Sequence, residues 1–295
     1  GADVIKVEPP GQGDPLREWG REGFPLWWSV VARGKRCVTA NLREKQGQDI
    51  LKQLVAQADF LLENFRPGTL EKWGLGYDEL RKINPRLIMI RVSGYGQTGP
   101  YASRAGYASV GEAMGGLRYV MGEADRRPSR AGISLGDSLA GIFAAVGALA
   151  ALHHREKTGE GQMIDATIYE SVLGVMEALV PEYQFEGYTR ERSGSILPNI
   201  APSSIYEGSV GMVIIAANQD TVFARFCAAI GQPDLKDHPD YKTHVARGKN
   251  QAQLDDPVLD TKAQDCAARL GLAYERRLTG YGDLATTSAR VAETA

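Results

Sequence analysis

The first half of the chain alternates short apolar runs with stretches of helical periodicity, the arrangement expected for a parallel β-sheet flanked by helices. Val4–Val7 and Leu87–Val92 are typical of buried strands, and residues 44–57 place their apolar side chains on one helical face. The other elements predicted here are strands at 37–42, 59–63 and 163–168, and helices at about 69–73, 77–83, 107–116, 138–154 and 169–185. The sequence therefore predicts an α/β fold whose large domain is Rossmann-like and built on a parallel sheet.

The pattern changes after Gly187. Residues 204–207 and 212–217 form a predicted hairpin around Gly208–Gly211, and a helix follows from about 219 to 230. We interpret this region as a smaller α+β domain, so that the large domain covers residues 1–186 and the small domain residues 187–295. From about residue 255 the sequence is rich in Ala and Arg with weak periodicity, and no fold is predicted for this tail.

The charge balance argues against a nucleic-acid partner. Lys and Arg together number 34, Asp and Glu together number 36, and the formal net charge is −2. Such a protein has no overall positive field that would attract a polyanion. An anionic ligand would have to be bound by a few locally placed groups.

The cysteines and the apolar segments bear on the cellular compartment. The three cysteines, Cys37, Cys227 and Cys266, show neither CxxC pairing nor metal-ligand spacing, which predicts a reducing compartment and no metal site. The chain opens without a basic start and an apolar run, so no signal peptide is predicted and a cytoplasmic location is expected. The apolar stretch Ser138–Leu152 is shorter than the roughly 18 residues that a membrane span needs. It is predicted to be a buried helix, and no membrane association is expected.

Two turn-rich segments follow predicted strands, at the sheet edge where open α/β folds bind ligands. In the segment after Glu63, Asn64 and Arg66 could bind an anionic or nucleotide ligand and Phe65 could stack on it, although an ordinary strand-to-helix turn would have the same composition. The second segment, residues 93–106, contains GYGQTG, but Pro100 prevents it from opening into a helix as a dinucleotide fingerprint must. Because GxxxxGK[ST] is also absent, neither NAD nor ATP is a predicted ligand.

One aspartate stands just before the long apolar helix, in the segment Gly132-Ile-Ser-Leu-Gly-Asp137-Ser138. A carboxylate there could accept backbone N–H hydrogen bonds and interact with the positive end of the helix dipole, so Asp137 is expected to remain ionised. An oriented carboxylate can attack an activated acyl group such as a thioester. The alternative is an ordinary helix cap. No GxSxG nucleophile elbow is present, which removes the usual α/β-hydrolase interpretation.

Taken together, the sequence resembles the class III coenzyme A transferases (CaiB/BaiF type), which include formyl-CoA and carnitine-CoA transferases. The matching segments, in the family's order, are GADVIKVEPPGQGDPLR (1–17), ENFRPGTLEKWGLGYDEL (63–80), SGYGQTGP (93–100), RAGY (104–107), GDSLAG (136–141), AANQDTVFARFCAAIGQPDL (216–235) and HVARGKNQAQLD (244–255). The likeness is expected to end near residue 254. The family has further segments before the equivalent of Gly1 and after the small domain, so we expect this chain to be part of a longer, interlocked design.

The resemblance implies an activity and a set of site residues. Asp137 matches the family's nucleophile, which carries CoA as an aspartyl thioester while an acceptor carboxylate completes the exchange. The residues implied to bind coenzyme A or line its channel are Arg43, Asn64, Phe65, Lys72, Tyr107 and Ile168. The resemblance further implies acyl-CoA and a small carboxylic acid as substrates, no tightly bound cofactor, and a homodimer.

Two alternatives stay open on the sequence. A neighbouring branch of the superfamily comprises α-methylacyl-CoA racemases, which use a His/Asp pair to move an α-proton. The position of the racemase histidine is Tyr107 here, and a phenol with a pKa of about 10 is a poor base at neutral pH, which favours the transferase. The second alternative is an inactive CoA-binding remnant.

Overall fold

A computed structural model describes residues 1–21, 23–208 and 211–255, so the predicted tail beyond residue 255 lies outside the described residues. The chain divides into two compact units. Among the described residues, the first unit contains 1–119 and 130–190, and the second contains 120–129 and 191–255. The sequence-based boundary at residue 186 differs from this division mainly in the excursion at 120–129. This segment belongs to the second unit, where the Gly122 carbonyl accepts a hydrogen bond from the Gly194 N–H at 3.0 Å.

The first unit is an alternation of strands and helices. Its strands are β1 (Val4–Glu8), β2 (Lys35–Thr39), β3 (Phe60–Glu63), β4 (Ile88–Ser93) and β5 (Met163–Thr167). Its helices are α1 (Leu26–Val31), α2 (Lys45–Val55), α3 (Thr69–Lys72), α4 (Tyr77–Ile83), α5 (Ala108–Met114), α6 (Leu117–Val120, which crosses into the second unit), α7 (Leu135–Thr158), α8 (Ile168–Leu173) and α9 (Leu179–Glu186). A 3₁₀ turn at Pro15–Glu18 and helix α1 were not predicted from the sequence.

All strands of this unit pair in parallel, which confirms the predicted α/β fold. They form a two-stranded sheet, β1–β2, and a three-stranded sheet in the order β3–β4–β5. In the larger sheet Leu62 pairs with Ile90, and Ile90 pairs with Ile164. Because the strands are parallel, the residues that follow β3, β4 and β5 leave the sheet at the same edge.

Two apolar clusters hold the first unit together. One lies between α2, α4 and the sheet strands, and its members Val55, Leu80 and Met89 are almost fully buried. In the other cluster, the alanine-lined side of α7 packs against β4 and β5, and Ala144 and Ala151 lie among Ile88 and Ile90. Alanine at each contact lets the helix approach the sheet closely.

The second unit contains an antiparallel hairpin and short helices, as expected for an α+β domain. Its elements are β6 (Ser203–Gly208), β7 (Gly211–Ala216), α10 (Asp220–Ala229), a 3₁₀ turn at Pro233–Asp237, α11 (His244–Lys249) and α12 (Gln251–Asp255). Phe223 and Cys227 of α10 lie in its apolar core. The buried Arg247 guanidinium donates to Asp220 and to three backbone carbonyls, which ties α11 to the start of α10.

Helix α7 differs from its prediction in both length and burial. It runs over 24 residues from Leu135, and Gly159 in a left-handed conformation ends it. By length and composition it is long enough and apolar enough to cross a membrane. Only 28% of its most apolar 18-residue stretch is buried within the protein. Small residues make the sheet contact, whereas Ile142, Val146 and Leu149 face outward. The prediction of a short, buried helix was therefore wrong, because an all-apolar sequence does not show which side packs.

The predicted helix at 169–185 is two helices. The first, α8, ends at the C-cap Gly174, and α9 begins at Leu179. Between them Glu177 has a φ of 53°, a left-handed conformation that an α-helix cannot contain. Apolar periodicity continues across this break, which is why the sequence predicted one helix.

Candidate active site

A cavity of about 150 Å³ lies at the ligand-binding edge of the larger sheet. The segments after β3 and β4 line it, together with the residue that caps α5. Its lining includes Asn64, Phe65, Arg66, Arg104 and Tyr107. The structure thus brings together three residues that the resemblance assigned to coenzyme A binding, namely Asn64, Phe65 and Tyr107.

Buried charges hold the segment after β3 in place. Glu63 accepts a hydrogen bond from the Phe65 N–H at 2.7 Å through one carboxylate oxygen, and its other oxygen binds Arg91 at 2.6 Å. The Phe65 ring packs edge-to-face on Trp73, with centroids 5.4 Å apart. Both the backbone and the ring of Phe65 are therefore held in place by contacts within the first unit.

The second turn-rich segment is anchored to β5. Asp165 accepts a hydrogen bond from the Gln97 N–H at 2.6 Å, and Gly94 packs directly on Gly106, which closes the loop. Arg104 stacks its guanidinium over the Tyr101 ring at 4.1 Å. Sequence reasoning did not single out Arg104, although a lone arginine in a turn-rich segment after a strand was an available signal.

Asp137 lies in the first turn of α7 and not before the helix. Ser134 is the N-cap, so the alternative of Asp137 as an ordinary helix cap is wrong. Its side chain is exposed, and in the part of the chain that the structure describes no group donates a hydrogen bond to its carboxylate. The expected backbone hydrogen bonds to Asp137 are thus not formed, since the helix begins earlier than predicted. The result is an accessible carboxylate near the positive end of a long helix.

Close packing between α7 and α5 brings the turn that carries Asp137 next to the cavity residue Tyr107. A Cβ added to Gly136 would lie 3.2 Å from Ile168 Cγ2, 3.3 Å from Glu112 Cγ and 3.4 Å from the Ala108 carbonyl oxygen. Gly136 precedes Asp137, and Ala108 follows Tyr107. The first turn of α7 therefore packs against α5 and α8 on the side of Gly136. The candidate nucleophile Asp137 follows this glycine, next to the helix whose N-cap lines the cavity.

The electrostatic surroundings raise the proton affinity of Asp137. Neighbouring atoms partly desolvate the carboxyl group, which raises its pKa, and the negative charge of Glu112 raises it further, while Arg130 acts in the opposite direction. A more basic carboxylate is a stronger nucleophile once it is ionised.

The remaining predicted residues lie outside the cavity lining. Arg43 is exposed in the connection between β2 and α2, and Lys72 ends α3. Ile168 is 6% exposed and packs against Gly111 and Gly136. Its observed contacts support the turn that carries Asp137, and its role in lining a CoA channel stays a prediction.

No group of three or more His, Cys, Asp or Glu side chains suited to a metal ion occurs among the described residues. The cavity is lined by the ring of Phe65 and by two cations, Arg66 and Arg104, and the exposed carboxylate of Asp137 lies on the neighbouring helix α7. These groups match what a negatively charged, activated acyl compound would need.

Comparison with known proteins decides the family. The sequence model of CoA-transferase family III matches residues 1–276. The chain belongs to CoA-transferase family III. This confirms the resemblance inferred from the motifs, and the match also passes residue 254, where the likeness was wrongly expected to end.

Named family III relatives are close in sequence. Succinyl-CoA–D-citramalate CoA-transferase of Chloroflexus aurantiacus is 59% identical over 262 residues, a region that covers 88% of this chain and 65% of the relative. The beta subunit of succinyl-CoA–L-malate CoA-transferase from the same organism is 45% identical over 266 residues, covering 88% of this chain and 66% of the relative. The chain thus spans slightly less than two thirds of these relatives.

A solved structure shares the fold. A CAIB/BAIF family protein from Brucella suis superposes with a TM-score of 0.76 at 35% identity, covering 99% of this chain and 75% of that chain.

Two charged residues near Asp137, Glu112 and Arg130, were not predicted from the sequence. The available signal for Glu112 was a lone carboxylate among the small and apolar residues of α5.

Proposed function

We propose that the protein transfers coenzyme A between an acyl-CoA donor and a carboxylate acceptor, with Asp137 as the nucleophile. The observation that carries this proposal is the position of Asp137: exposed, without a hydrogen-bond partner in the described chain, and on a turn packed against Ala108 beside the cavity residue Tyr107. Family III membership and the names of the relatives support the same activity.

The chemistry proceeds by four acyl transfers. An Asp137 carboxylate oxygen attacks the thioester carbonyl, the C–S bond breaks, and an acyl-aspartyl anhydride and CoA thiolate form. The thiolate then attacks the carboxyl carbon of Asp137 and releases the donor's carboxylate, leaving an aspartyl-CoA thioester. The acceptor carboxylate attacks the carbonyl of that thioester, its C–S bond breaks, and a new anhydride and CoA thiolate form. The thiolate then attacks the acceptor carbonyl of this anhydride and breaks its bond to the Asp137 oxygen. Acceptor-CoA leaves, and the Asp137 carboxylate is restored.

The residues after β3 suit the CoA portion of the donor. Phe65 offers a ring edge and face for the adenine or the pantetheine chain, and Asn64 offers amide hydrogen bonds in the same cavity. Arg43 and Lys72 supply positive charge for its phosphates. Coenzyme A acts here as a substrate, and no tightly bound cofactor enters these steps.

The substrates are proposed to be dicarboxylic acids and their monothioesters. The relatives carry names with succinyl-CoA, citramalate, malate and glutarate. Arg130 acts on the Asp137 carboxyl as a nearby cation, so it can also attract the second carboxylate of a substrate held there. We therefore propose succinyl-CoA or a similar compound as donor.

The assembly is proposed to be a cytoplasmic homodimer. The outward side of α7 presents Ile142, Val146 and Leu149, each more than half exposed, and a second copy would remove this apolar surface from water. The exposed free thiol of Cys37 supports a reducing compartment. Analytical ultracentrifugation tests this proposal: we expect the wild type to be a dimer and the Val146→Glu variant to dimerise more weakly. A wild type that is monomeric, or that binds to lipid vesicles in a sedimentation assay, contradicts the proposal.

The activity is tested by trapping the intermediate. The protein is mixed with succinyl-CoA, treated with hydroxylamine and digested, and the peptide containing Asp137 is examined by mass spectrometry for an aspartyl hydroxamate. We expect modification in the wild type and in the control Asp49→Asn, an exposed carboxylate on α2, and none in Asp137→Ala. CoA transfer to citramalate, malate or glutarate should disappear in the same variant.

Two outcomes contradict the proposal. An unmodified Asp137 in a folded wild type that binds succinyl-CoA would exclude the aspartyl intermediate. Incorporation of solvent deuterium at the α-carbon of a branched acyl-CoA, without CoA exchange, would identify a racemase instead.

A further inference from the structure

A buried carboxylate lies directly behind the nucleophile and has no part in the steps above. Glu112, in the middle of α5, is 1% exposed. Its Oε2 atom accepts a hydrogen bond from Arg118 Nε at 2.8 Å, and its Oε1 atom accepts one from the Gly136 N–H at 3.3 Å. Burying a charged group is costly, so a glutamate here needs compensating contacts, and these two contacts supply them.

The contact with Gly136 caps α7 from another helix. The first N–H groups of a helix have no partner within it, and the N-cap Ser134 forms no side-chain hydrogen bond to them. Glu112 satisfies the N–H of Gly136, the residue before Asp137, and places negative charge where the helix dipole favours it. The first turn of α7 is thus held by a side chain of α5.

The charged surroundings of Asp137 are few. Glu112 of α5 and Arg130 of the preceding segment are the charges that shift its proton affinity. From α8 the packed residue is Ile168, and the carboxylate of that helix, Glu170, accepts a hydrogen bond from the Tyr169 hydroxyl. Glu112 is therefore the negative group that acts on the nucleophile.

We propose that Glu112 is a positioning residue for Asp137: its carboxylate accepts the Gly136 N–H and so fixes the turn that carries the nucleophile, while Arg118 holds that carboxylate in place. The charge of Glu112 also acts on the neighbouring carboxyl group of Asp137 and raises its pKa. This rests on the proposed function, in which Asp137 attacks the thioester. Glu112 does not line the cavity, so its effect falls on the reaction of Asp137 and not on coenzyme A binding.

Two substitutions separate the hydrogen bond from the charge. Glu112→Gln keeps an oxygen that can accept from the Gly136 N–H but removes the charge, whereas Glu112→Ala removes both. Glu156→Gln, an exposed carboxylate near the other end of α7, is the matched control.

The first measurement does not depend on activity. Carboxyl-carbon NMR titration, with the Asp137 signal assigned by its loss in Asp137→Asn, follows ionisation of that group in each variant. We expect Glu112→Gln to titrate Asp137 at a lower pH than the wild type, because loss of a neighbouring negative charge favours the ionised form. Glu156→Gln should titrate as the wild type does. An unchanged Asp137 titration in Glu112→Gln overturns the electrostatic part of the proposal.

The second measurement is the pH dependence of CoA transfer. In Glu112→Gln the acid limb should move to lower pH, while kcat at its optimum stays within about threefold of the wild type. Glu112→Ala should lose about 10- to 100-fold in kcat with little change in KM for acyl-CoA, because the turn carrying the nucleophile is no longer fixed. Equal kcat values in Glu112→Ala and the wild type overturn the positioning part. If the alanine variant does not fold, Glu112→Met, which has a similar volume but no oxygen that can accept from the Gly136 N–H, is judged by the same kcat comparison.

The two proposals fail in different ways. A wild type that forms no aspartyl intermediate, yet shows the NMR shift between wild type and Glu112→Gln, refutes the proposed function and keeps the coupling between the carboxylates. An active wild type whose titration and pH profile are unchanged in Glu112→Gln refutes this inference alone.

Discussion

The guanidinium of Arg91 lies 2.6 Å from the carboxylate of Glu63, and both side chains are no more than 5% exposed. The same Glu63 accepts the N–H of Phe65, so the ion pair under the sheet edge determines where the cavity's aromatic ring lies. Arg91 also binds Glu71 of α3 at 2.6 Å, which joins the strand to the helix that follows the segment. A buried ion pair is weak support for stability, yet breaking one leaves an uncompensated charge.

Replacing Arg91 is therefore expected to disturb both stability and ligand binding. Arg91→Met leaves Glu63 buried without its cation, which should lower the free energy of unfolding by about 3 kcal/mol. CoA affinity, measured by calorimetry, should fall as the segment at Asn64–Gly68 loosens. Arg86→Met is the control: it removes an exposed pair with Glu156 and should cost less than about 1 kcal/mol. Equal effects of the two substitutions would show that burial of the Arg91 pair is irrelevant.

The contact between α5 and α8 leaves no space for a side chain at Gly111. A Cβ there would lie 2.5 Å from Ile168 Cγ2, so Gly111→Ala must displace Ile168 at the start of α8. Alanine normally stabilises a helix interior relative to glycine, but here overpacking should outweigh this and cost about 1–3 kcal/mol. Ala113→Ser adds one atom to the exposed side of the same helix and should change stability by less than about 0.5 kcal/mol.

Chemical denaturation and the transfer assay measure both variants. We expect Gly111→Ala to lower the transfer rate as well, because Ile168 supports Gly136 next to Asp137. A Gly111→Ala variant more stable than the wild type would contradict the packing described between these helices.

The first strand is expected to respond to acid. The Arg17 guanidinium lowers the pKa of Glu8 from its ordinary value near 4.5 to about 2. Because the folded-state pKa lies below the unfolded one, the stabilisation is complete above about pH 5 and is lost as the pH falls from 4.5 toward 2. Loss of this charged hydrogen bond should lower the free energy of unfolding by about 2 kcal/mol.

Denaturation between pH 3 and pH 6 tests this for the wild type and Glu8→Gln. The variant should be less stable at pH 6, and its disadvantage should shrink at pH 3. Asp49→Asn, which removes an exposed pair with Lys45, should follow the wild type at both pH values. A disadvantage of Glu8→Gln that is equally large at pH 3 and pH 6 would contradict the low pKa of Glu8.

Local pattern was sufficient to predict much of the architecture and the identities of several site residues. The strand at Val4–Val7, the helix after Lys45 and the segment after Glu63 follow from apolar periodicity and turn composition, which act over a few neighbouring residues. Motifs such as GDSLAG then led to Asp137 and to the family.

Only the tertiary structure decided how these residues work together. The alanines of α7, and not its larger apolar residues, pack against the sheet. This choice depends on the shape of the sheet, whose central strand β4 lies far from α7 in the sequence. The surroundings of Asp137 likewise depend on Glu112, whose role follows from the packing of α5 against α7. The sequence alone predicted the strands and most of the helices, and it identified the carboxylate that is the candidate nucleophile. Contacts between elements determine how exposed Asp137 is, which side chain caps its helix and how high its pKa is. They do so because burial and charge act through space and not along the chain.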